Sequence, residues 1–490
     1  MSQRAKDWST LHDWGVVRER DAPIFTQVYR QIRLAILDQR LQPGSKLPST
    51  RELAQQLAVS RSAVVTAYDQ LIAEGYIQGQ KGSGTYVSTD IAASTTKPKP
   101  KPERTRNLTA QQFNLKSVAD FTDVTMQGSA LPFNLGRTLI DARTHEQWRR
   151  IAARTFRSLK QSHFGYSDPR GYLKLRNAIC DYLRVARSVR CEPDQIVVTA
   201  GTQHAIDLIA RLLPDANTDV WVEDPGYLPT RQSLAAHGAR VHPIPVDKHG
   251  LIVKAGIKTA PKARAVFVTP SHQFPTGVVL SMARRLELIA WAHDAKAWIV
   301  EDDYASEFRY GGHPLASMQG LDDNDRVIYI GTLNKALFPG LRLGYAVIPT
   351  GMLRALVTAR YLSDRQPSTI TQSIVADFME EGYFAAHIRR MRLTYRTQRD
   401  ALVSALQNSL HDKLVVDPPD QGMHLIAYLK YRLSDVSIER AAHQHGVVVR
   451  AMSRMYMDAP AKSALMLGFS GYPERLIAPA VARLAKAIRN

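Results

Sequence analysis

The sequence predicts an α/β chain of two domains: a small helical module that ends in a hairpin, and a large domain built on a mostly parallel sheet. Its 490 residues exceed the length of one ordinary domain. Residues 88–107 (STDIAASTTKPKPKPERTRN) interrupt the apolar periodicity with alternating Lys and Pro. Beyond this break, short continuous apolar runs alternate with helical stretches, a pattern typical of a buried parallel sheet.

Bulk composition is that of a globular protein and excludes several function classes. Hydrophobic residues make up 44% of the chain and charged residues 22%, which is ordinary for a folded protein. Cys180 and Cys191 are too few for a disulfide framework or a zinc ligand set, so we expect no metal site and a reducing cytoplasm. Without a run of 18 apolar residues or a signal-peptide core, we expect neither a membrane span nor export.

The net charge of +19 suggests a polyanionic partner. However, residues 1–90 hold only 11 Lys and Arg against 9 Asp and Glu. Charge alone therefore supports nucleic-acid binding weakly, and a generally basic surface is the alternative.

The N-terminal module is predicted to contain three short helices. Residues 27–38 (QVYRQIRLAILD) place apolar side chains at helical spacing. Ser49 followed by Glu52 is a capping-box pattern that opens a second helix through Leu57. Ser60 is expected to cap the third helix, which ends at Gly75. The predicted inward face of this third helix consists of Val64, Tyr68, Leu71 and Ile72.

The second and third helices are joined by a tight turn, as a helix-turn-helix requires. Residues 76–80 and 85–88 flank KGSG, the pattern of a hairpin that would act as a wing. Side chains on the outward side of the third helix would meet phosphates or base edges. The expected DNA contacts are Arg51, Arg61, Ser62, Thr66 and Gly82. A structural helical bundle is the alternative.

Residues 23–87 resemble the winged-helix domain of the GntR family. The matching stretches are PIFTQVYRQIRLAIL, LQPGSKLPSTRELAQQLAVSR, TAYDQLIAEGYI and GSGTYV. The resemblance implies a winged helix-turn-helix at residues 20–88 that binds a double-stranded DNA operator. It also places Arg51, Arg61, Thr66 and Gly82 at positions that commonly meet DNA.

Residues 89–117 are predicted to be a basic interdomain linker, and residues 118–490 the large domain. Alternating Lys and Pro cannot form a helix interior and favours extended conformations. Predicted strands of the large domain lie at 196–199, 220–222, 265–268, 298–300, 327–330 and 345–348, with helices such as 203–213 and 281–293 between them. Ligands bind at the carboxyl ends of such strands.

The residues that follow these strands form a candidate site for pyridoxal 5'-phosphate. This cofactor needs a lysine for a Schiff base, an acid at the pyridine nitrogen, a phosphate cradle and a ring cover. In that order, the candidates are Lys335, Asp302, Thr202 with Gln203, and Tyr227. Each alone has an ordinary alternative: a solvated lysine, a loop-capping acid, a helix N-cap or a core tyrosine. Their regular placement at strand ends favours the cofactor site.

Residues 130–490 resemble fold-type I aminotransferases, specifically the aminotransferase-like half of the MocR subfamily of GntR regulators. The stretches that carry the resemblance include FGYSDPRGYLKLRNAICDYL, QIVVTAGTQHAIDLIARLL, TPSHQFPTG, EDDYASEF and GTLNKALFPGLRLGY. It implies that Lys335 forms the Schiff base, Asp302 pairs with the pyridine nitrogen (Asp303 is the fallback) and Tyr304 bonds the ring hydroxyl.

The same resemblance implies the remaining cofactor contacts and a dimer. Tyr227 would cover the ring, and Tyr166, in YSDPRG, would reach the phosphate in the partner subunit's site of a homodimer. The implied phosphate contacts are Gly201, Thr202, Gln203, Thr332 and Arg342.

Four positions bear on ligand recognition. Aminotransferases commonly carry Asn where this chain has Phe274, and usually carry a carboxylate-clamping Arg where it has Met466. Arg454, in MSRMY, matches the carboxylate-binding arginine of a GABA-sensing member, whose second ligand arginine is replaced by Pro229. The resemblance therefore implies an intact cofactor site with a changed ligand site, in which Arg454 binds the effector.

We expect a pyridoxal-phosphate-dependent transcriptional regulator whose large domain senses an amino acid, an amine or the cofactor itself through Lys335. The alternative is an aminotransferase with an accessory DNA-binding domain, with weak transamination remaining as an activity.

Overall fold

A computed structural model describes residues 22–80, 83–89, 130–213, 217–311, 315–431, 433–458 and 461–489. The chain divides into two compact units, residues 1–108 and 109–490. Gly82 and all of the predicted linker except residue 89 lie outside the described residues.

The N-terminal unit contains the predicted helices and hairpin. Its elements are α1 (Ile24–Leu37), α2 (Thr50–Gln56), α3 (Arg61–Ala73), β1 (Ile77–Gln80) and β2 (Gly84–Val87). The Ser49 hydroxyl accepts a hydrogen bond from the Glu52 N–H, and the Glu52 carboxylate accepts one from the Ser49 N–H. Ser60 caps α3 by accepting from the Ala63 N–H. These caps satisfy N–H groups that a helix leaves without internal partners.

The inward face of α3 differs from the prediction at one position. Val64, Tyr68 and Leu71 are buried as expected, but Ile72 is 45% exposed. At about 100° per residue, Ile72 lies roughly 80° around the helix from Val64, whereas Leu71 lies only about 20° away. Ala67 completes the buried face instead.

The second unit is built on an eight-stranded sheet with the order β3-β10-β9-β8-β7-β4-β5-β6. Its strands are β3 (Ile196–Thr199), β4 (Asp219–Asp224), β5 (Arg240–Asp247), β6 (Gly250–Leu251), β7 (Ala265–Val268), β8 (Trp298–Asp303), β9 (Val327–Thr332) and β10 (Gly344–Val347). The pairs β4–β5, β4–β7, β7–β8 and β8–β9 are parallel, which confirms the mostly parallel sheet.

Strand β10 is an exception, because it runs antiparallel to both of its neighbours. Only residues 333–343 connect it to β9, and a parallel pair needs a crossover of about a dozen residues or more. Apolar clusters lie on both faces of the sheet, which explains why its strands read as continuous apolar runs.

Helices and a smaller sheet complete this unit. The antiparallel sheet has the order β11-β12-β14-β13 and consists of β11 (Leu414–Val416), β12 (His424–Leu429), β13 (Arg450–Ala451) and β14 (Ala464–Gly468). The helices are α4 (Ala142–Arg157), α5 (Leu173–Arg187), α6 (Thr202–Ala210), α7 (Leu228–Ala236), α8 (Val253–Thr259), α9 (Met282–Asp294), α10 (Met318–Leu321), α11 (Leu333–Ala336), α12 (Thr350–Ser363), α13 (Thr369–Glu380), α14 (Tyr383–Leu410), α15 (Asp435–Gln444) and α16 (Ile477–Arg489). Among the described helices, none is both long and apolar enough to cross a membrane.

Candidate functional site

A cavity of about 360 Å³ opens at the carboxyl ends of β3, β4, β8 and β9. Nine of the residues predicted from the sequence line it: Gly201, Thr202, Gln203, Tyr227, Asp302, Tyr304, Thr332, Lys335 and Arg342. Residues far apart in the chain thus meet because parallel strands present their carboxyl ends at one edge of the sheet.

Lys335 projects into this cavity from the short helix α11. Its Nζ lies 3.4 Å from the carbonyl oxygen of Gly136, and burial lowers the pKa of the amine. Gly136 has a φ of +69°, and a Cβ at this position would collide with the lysine Nζ. A lowered pKa leaves more of the amine unprotonated, the form that attacks a carbonyl carbon.

Besides Gln203 Oε1, two buried polar atoms of cavity-lining residues lack partners among the described residues: Asp302 Oδ1 and the Tyr304 hydroxyl. Burial, and then the neighbouring acids, raise the pKa of both groups. An unsatisfied buried polar atom costs about 1–3 kcal/mol. These two atoms therefore fit a bound molecule that offers polar groups of its own, as the pyridine nitrogen and ring hydroxyl of the cofactor would.

The neighbouring acid, Asp303, has a different role. Its Oδ2 accepts hydrogen bonds from Arg187 Nε at 2.7 Å and from Ser306 Oγ at 2.9 Å, and it also accepts from the Tyr329 hydroxyl. Asp303 is thus held in a buried ion pair, whereas Asp302 lines the cavity.

A third group of lining residues is suited to a phosphate. Gly201, with a φ of +117°, precedes the N-terminus of α6, where Thr202 and Gln203 are the first residues. Free N–H groups at a helix N-terminus bind anions, and the Arg342 guanidinium adds a positive charge. Thr332 caps α11, since its Oγ1 accepts from the Asn334 N–H at 3.1 Å.

Tyr227 lies beside Phe274, one of the positions at which the sequence departs from the aminotransferase pattern. The Tyr227 and Phe274 rings meet edge-on, with centroids 5.4 Å apart. The Phe274 N–H donates to Thr269 Oγ1 at 3.0 Å, and the same hydroxyl donates to Glu223 Oε2 at 2.6 Å. This chain of hydrogen bonds holds Phe274 against the cavity.

Two predicted residues are not among the described residues that line the cavity. Tyr166 is 81% exposed, with the Arg365 guanidinium 4.5 Å from its ring centroid. Arg454 forms an ion pair with Glu439, with Nε 3.2 Å from Oε2. Arg450, four residues before Arg454, does line the cavity. Sequence reasoning missed it, although an arginine at the end of the apolar run VVVR was a signal.

In the N-terminal unit, the four described residues predicted to contact DNA are all exposed: Arg51, Arg61, Ser62 and Thr66. Arg61 is the first residue of α3, and Ser62 follows it. The Thr66 hydroxyl donates to the Ser62 carbonyl at 3.0 Å.

Comparison with known proteins identifies both units. Residues 25–87 match the family of bacterial regulatory proteins, gntR family, and residues 131–484 match aminotransferase class I and II. The chain is 37% identical to the probable rhizopine catabolism regulatory protein MocR of Rhizobium meliloti, over 96% of this chain and 94% of that protein. It is 33% identical to the pyridoxine biosynthesis transcriptional regulator PdxR of Corynebacterium glutamicum, over 94% and 95%.

Solved structures with a similar fold include aminotransferases. An archaeal alanine:glyoxylate aminotransferase shares 27% identity with a TM-score of 0.70, over 75% of this chain and 95% of that chain. The α-aminoadipate aminotransferase LysN of Thermus thermophilus, complexed with N-(5'-phosphopyridoxyl)-L-leucine, shares 25% identity with a TM-score of 0.70, over 77% and 96%. The fold is thus a GntR-type DNA-binding domain joined to a fold-type I aminotransferase domain. The chain belongs to the MocR-type transcriptional regulators of the GntR family.

Proposed function

We propose that this regulator senses a small amino compound through pyridoxal 5'-phosphate held on Lys335. One observation carries the proposal: the Lys335 amine and the unpartnered atoms of Asp302 and Tyr304 face the same cavity. The effector is an amino acid, an amine or the cofactor itself. When bound, the cofactor supplies an aldehyde carbon that combines with amines, and a ring that absorbs near-visible light.

The residues of the cavity fit each part of the cofactor. The Asp302 carboxylate would accept a hydrogen bond from the protonated pyridine nitrogen, and the positive charge of that ring would favour the ionised form of Asp302. Tyr304 would donate to the ring hydroxyl. The N-terminus of α6 and Arg342 would hold the phosphate, and Tyr227 would cover the ring.

Sensing requires two conformations, because a ligand shifts an equilibrium only by binding one state more tightly than the other. We propose a homodimer in which the exposed Tyr166 reaches the phosphate in the partner subunit's site. Two winged helices would then read two half-sites of an operator, as dimeric helix-turn-helix proteins do. We expect such a regulator to act in the cytoplasm, where its operator is.

The test measures cofactor absorption and DNA mobility in parallel. Purified protein should show a near-visible band that Lys335→Ala abolishes, and the variant's DNA binding should no longer respond to an amino-acid and amine panel. Lys254→Ala, which removes an exposed lysine on α8, is the matched control. A wild-type protein without the band, or a Lys335→Ala variant with normal regulation, would refute the mechanism.

A second candidate function is transamination. The set of Lys335, Asp302 and Tyr304 supports it, since these groups provide the amine, the acid and the ring contact that such chemistry uses. Keto-acid product accumulating over many turnovers would favour the enzyme, whereas a spectral change without product favours the sensor.

A further inference from the structure

One arginine that lines the cavity, Arg450, has no proposed role in holding the cofactor. Of the described residues that line it, two are arginines, Arg342 and Arg450. Arg342 belongs to the phosphate site proposed above. Arg450 begins β13 in the smaller sheet, and burial lowers the pKa of its guanidinium. A carboxylate that enters the cavity can form charge-assisted hydrogen bonds with this guanidinium.

The strand pairing fixes what surrounds Arg450. In the antiparallel pair β13–β14, Arg450 is directly opposite Met466. Side chains of directly opposed residues share one face of the sheet, with Cβ atoms about 4.5–5.5 Å apart. Met466 is the position at which the resemblance to aminotransferases leads one to expect an arginine. In this chain the guanidinium therefore comes from Arg450 on β13, the strand next to β14, where aminotransferases carry it.

The surface next to this arginine is apolar. Met466 is fully buried in a small cluster against which Leu135, Phe274 and Met455 pack. These three residues also line the cavity, and we call them the apolar wall. A ligand that reaches Arg450 thus meets hydrocarbon surface beside a positive charge.

The neighbouring Arg454 is already committed to a protein carboxylate. Glu439 on α15 is a partly buried residue with 11% of its side chain exposed, and its Oε2 lies 3.2 Å from Arg454 Nε. Burial raises the pKa of Glu439, and the charges of Arg454 and Arg450 oppose that rise. Among the described residues, Arg450 lines the cavity and Arg454 does not, which makes Arg450 the guanidinium of the ligand site.

We propose that Arg450 binds the carboxylate of the effector and that the apolar wall receives its side chain, which makes the effector an apolar amino acid rather than a simple amine. This inference rests on the proposed function, because the amino group must reach the cofactor on Lys335. Its chemical content is a carboxylate, an amine and a hydrocarbon side chain held in one cavity.

The experiment titrates L-leucine, 3-methylbutylamine and glycine into the purified holoprotein and follows the cofactor's absorption. Leucine should bind roughly ten-fold or more tightly than its decarboxylated amine, because a two-pronged guanidinium–carboxylate contact is lost. It should also bind roughly ten-fold more tightly than glycine, which leaves the apolar wall uncovered.

Three variants locate the carboxylate site. Arg450→Met should abolish the preference for leucine over the amine, and Arg454→Met, the matched control, should retain it. The double variant Arg450→Met/Met466→Arg returns the guanidinium to the same face from the opposite strand and should recover part of the preference. Arg450→Lys keeps the charge without the two-pronged geometry and should retain a reduced preference, which covers the case in which Arg450→Met does not fold.

The outcomes separate this inference from the proposed function. A wild-type protein that binds both probes equally, or an Arg454→Met variant that alone loses the preference, would overturn the assignment of Arg450. So would a full preference in both Arg450 variants. Failure of the proposed function looks different, since the wild-type protein would then lack the cofactor band or respond to no amine.

Discussion

The cavity is lined by two sets of residues that differ in chemistry and in how they are assembled. The polar set, which includes Asp302 and Lys335, comes from the ends of strands in the large sheet. The apolar wall and Arg450 come from loops and from the smaller sheet. By the sequence resemblance, the polar set keeps the pattern of aminotransferases, whereas Phe274 of the apolar wall and Met466, on which the wall packs, depart from it. A cofactor site can thus be retained while the adjoining ligand site changes.

The largest expected effect distinguishes Asp302 of the polar set from the adjacent acid Asp303, which is not among the described lining residues. Asp303→Asn should lower the free energy of unfolding by about 3–5 kcal/mol, because Arg187 would remain buried without its carboxylate. Asp302→Asn should change it by less than about 1 kcal/mol in the apo-protein, since Asp302 Oδ1 has no hydrogen-bond partner among the described residues, but should weaken cofactor binding. Urea unfolding and cofactor titration of both variants provide the test. Equal losses of stability would show that both acids are structural.

The next effect concerns the pH dependence of stability and Glu223, the buried acid that is hydrogen-bonded through Thr269 to Phe274. Burial raises the pKa of Glu223 from 4.5 to about 7, so the folded state holds this proton more tightly than the unfolded state does. The resulting stability is fully present below about pH 4.5 and is lost as the pH rises through about 7. Glu223→Gln does not titrate.

Relative to the wild type, the free energy of unfolding of Glu223→Gln should therefore increase by about 3 kcal/mol between pH 4.5 and pH 8. Urea unfolding of the two apo-proteins at both pH values measures the difference. Glu287→Gln, at the surface of α9, serves as the control. A constant difference between Glu223→Gln and wild type across this range would contradict the buried acid.

A smaller effect tests the space around Lys335. Gly136→Ala should weaken cofactor binding roughly 10- to 100-fold, because the new Cβ meets the lysine Nζ and the φ of +69° disfavours a side chain. Gly351→Ala in α12 is the matched control, since no atom of the described residues lies within 4 Å of its added Cβ. Cofactor titration of the apo-proteins gives the two affinities. Normal affinity in Gly136→Ala would mean that Lys335 is placed differently.

The same division between the two sets decides what could be read from the sequence. Lys335, Asp302 and Thr202 were predictable because each follows an apolar strand, and parallel strands bring such positions together. Ser49 and Ser60 were predictable because caps depend on local sequence. Arg450 was predictable only in part: the run VVVR marks it as the end of an apolar strand, but its place opposite Met466 depends on a register between strands that no local pattern specifies. The prediction for Ile72 failed because this residue lies roughly 80° around the helix from Val64, at the border of the buried face, where helical spacing alone does not decide exposure.

The smallest effect tests whether the two sets are separable. Met466→Leu conserves volume in a buried apolar cluster and should cost less than about 1.5 kcal/mol of stability. Because Met466 touches the apolar wall but is not among the described lining residues, cofactor affinity should stay at the wild-type value. The affinity for leucine should change, since Leu135, Phe274 and Met455 pack on this residue. A Met466→Leu variant that lost cofactor binding would mean that the two sets form one unit, and ligand recognition could then not have changed independently.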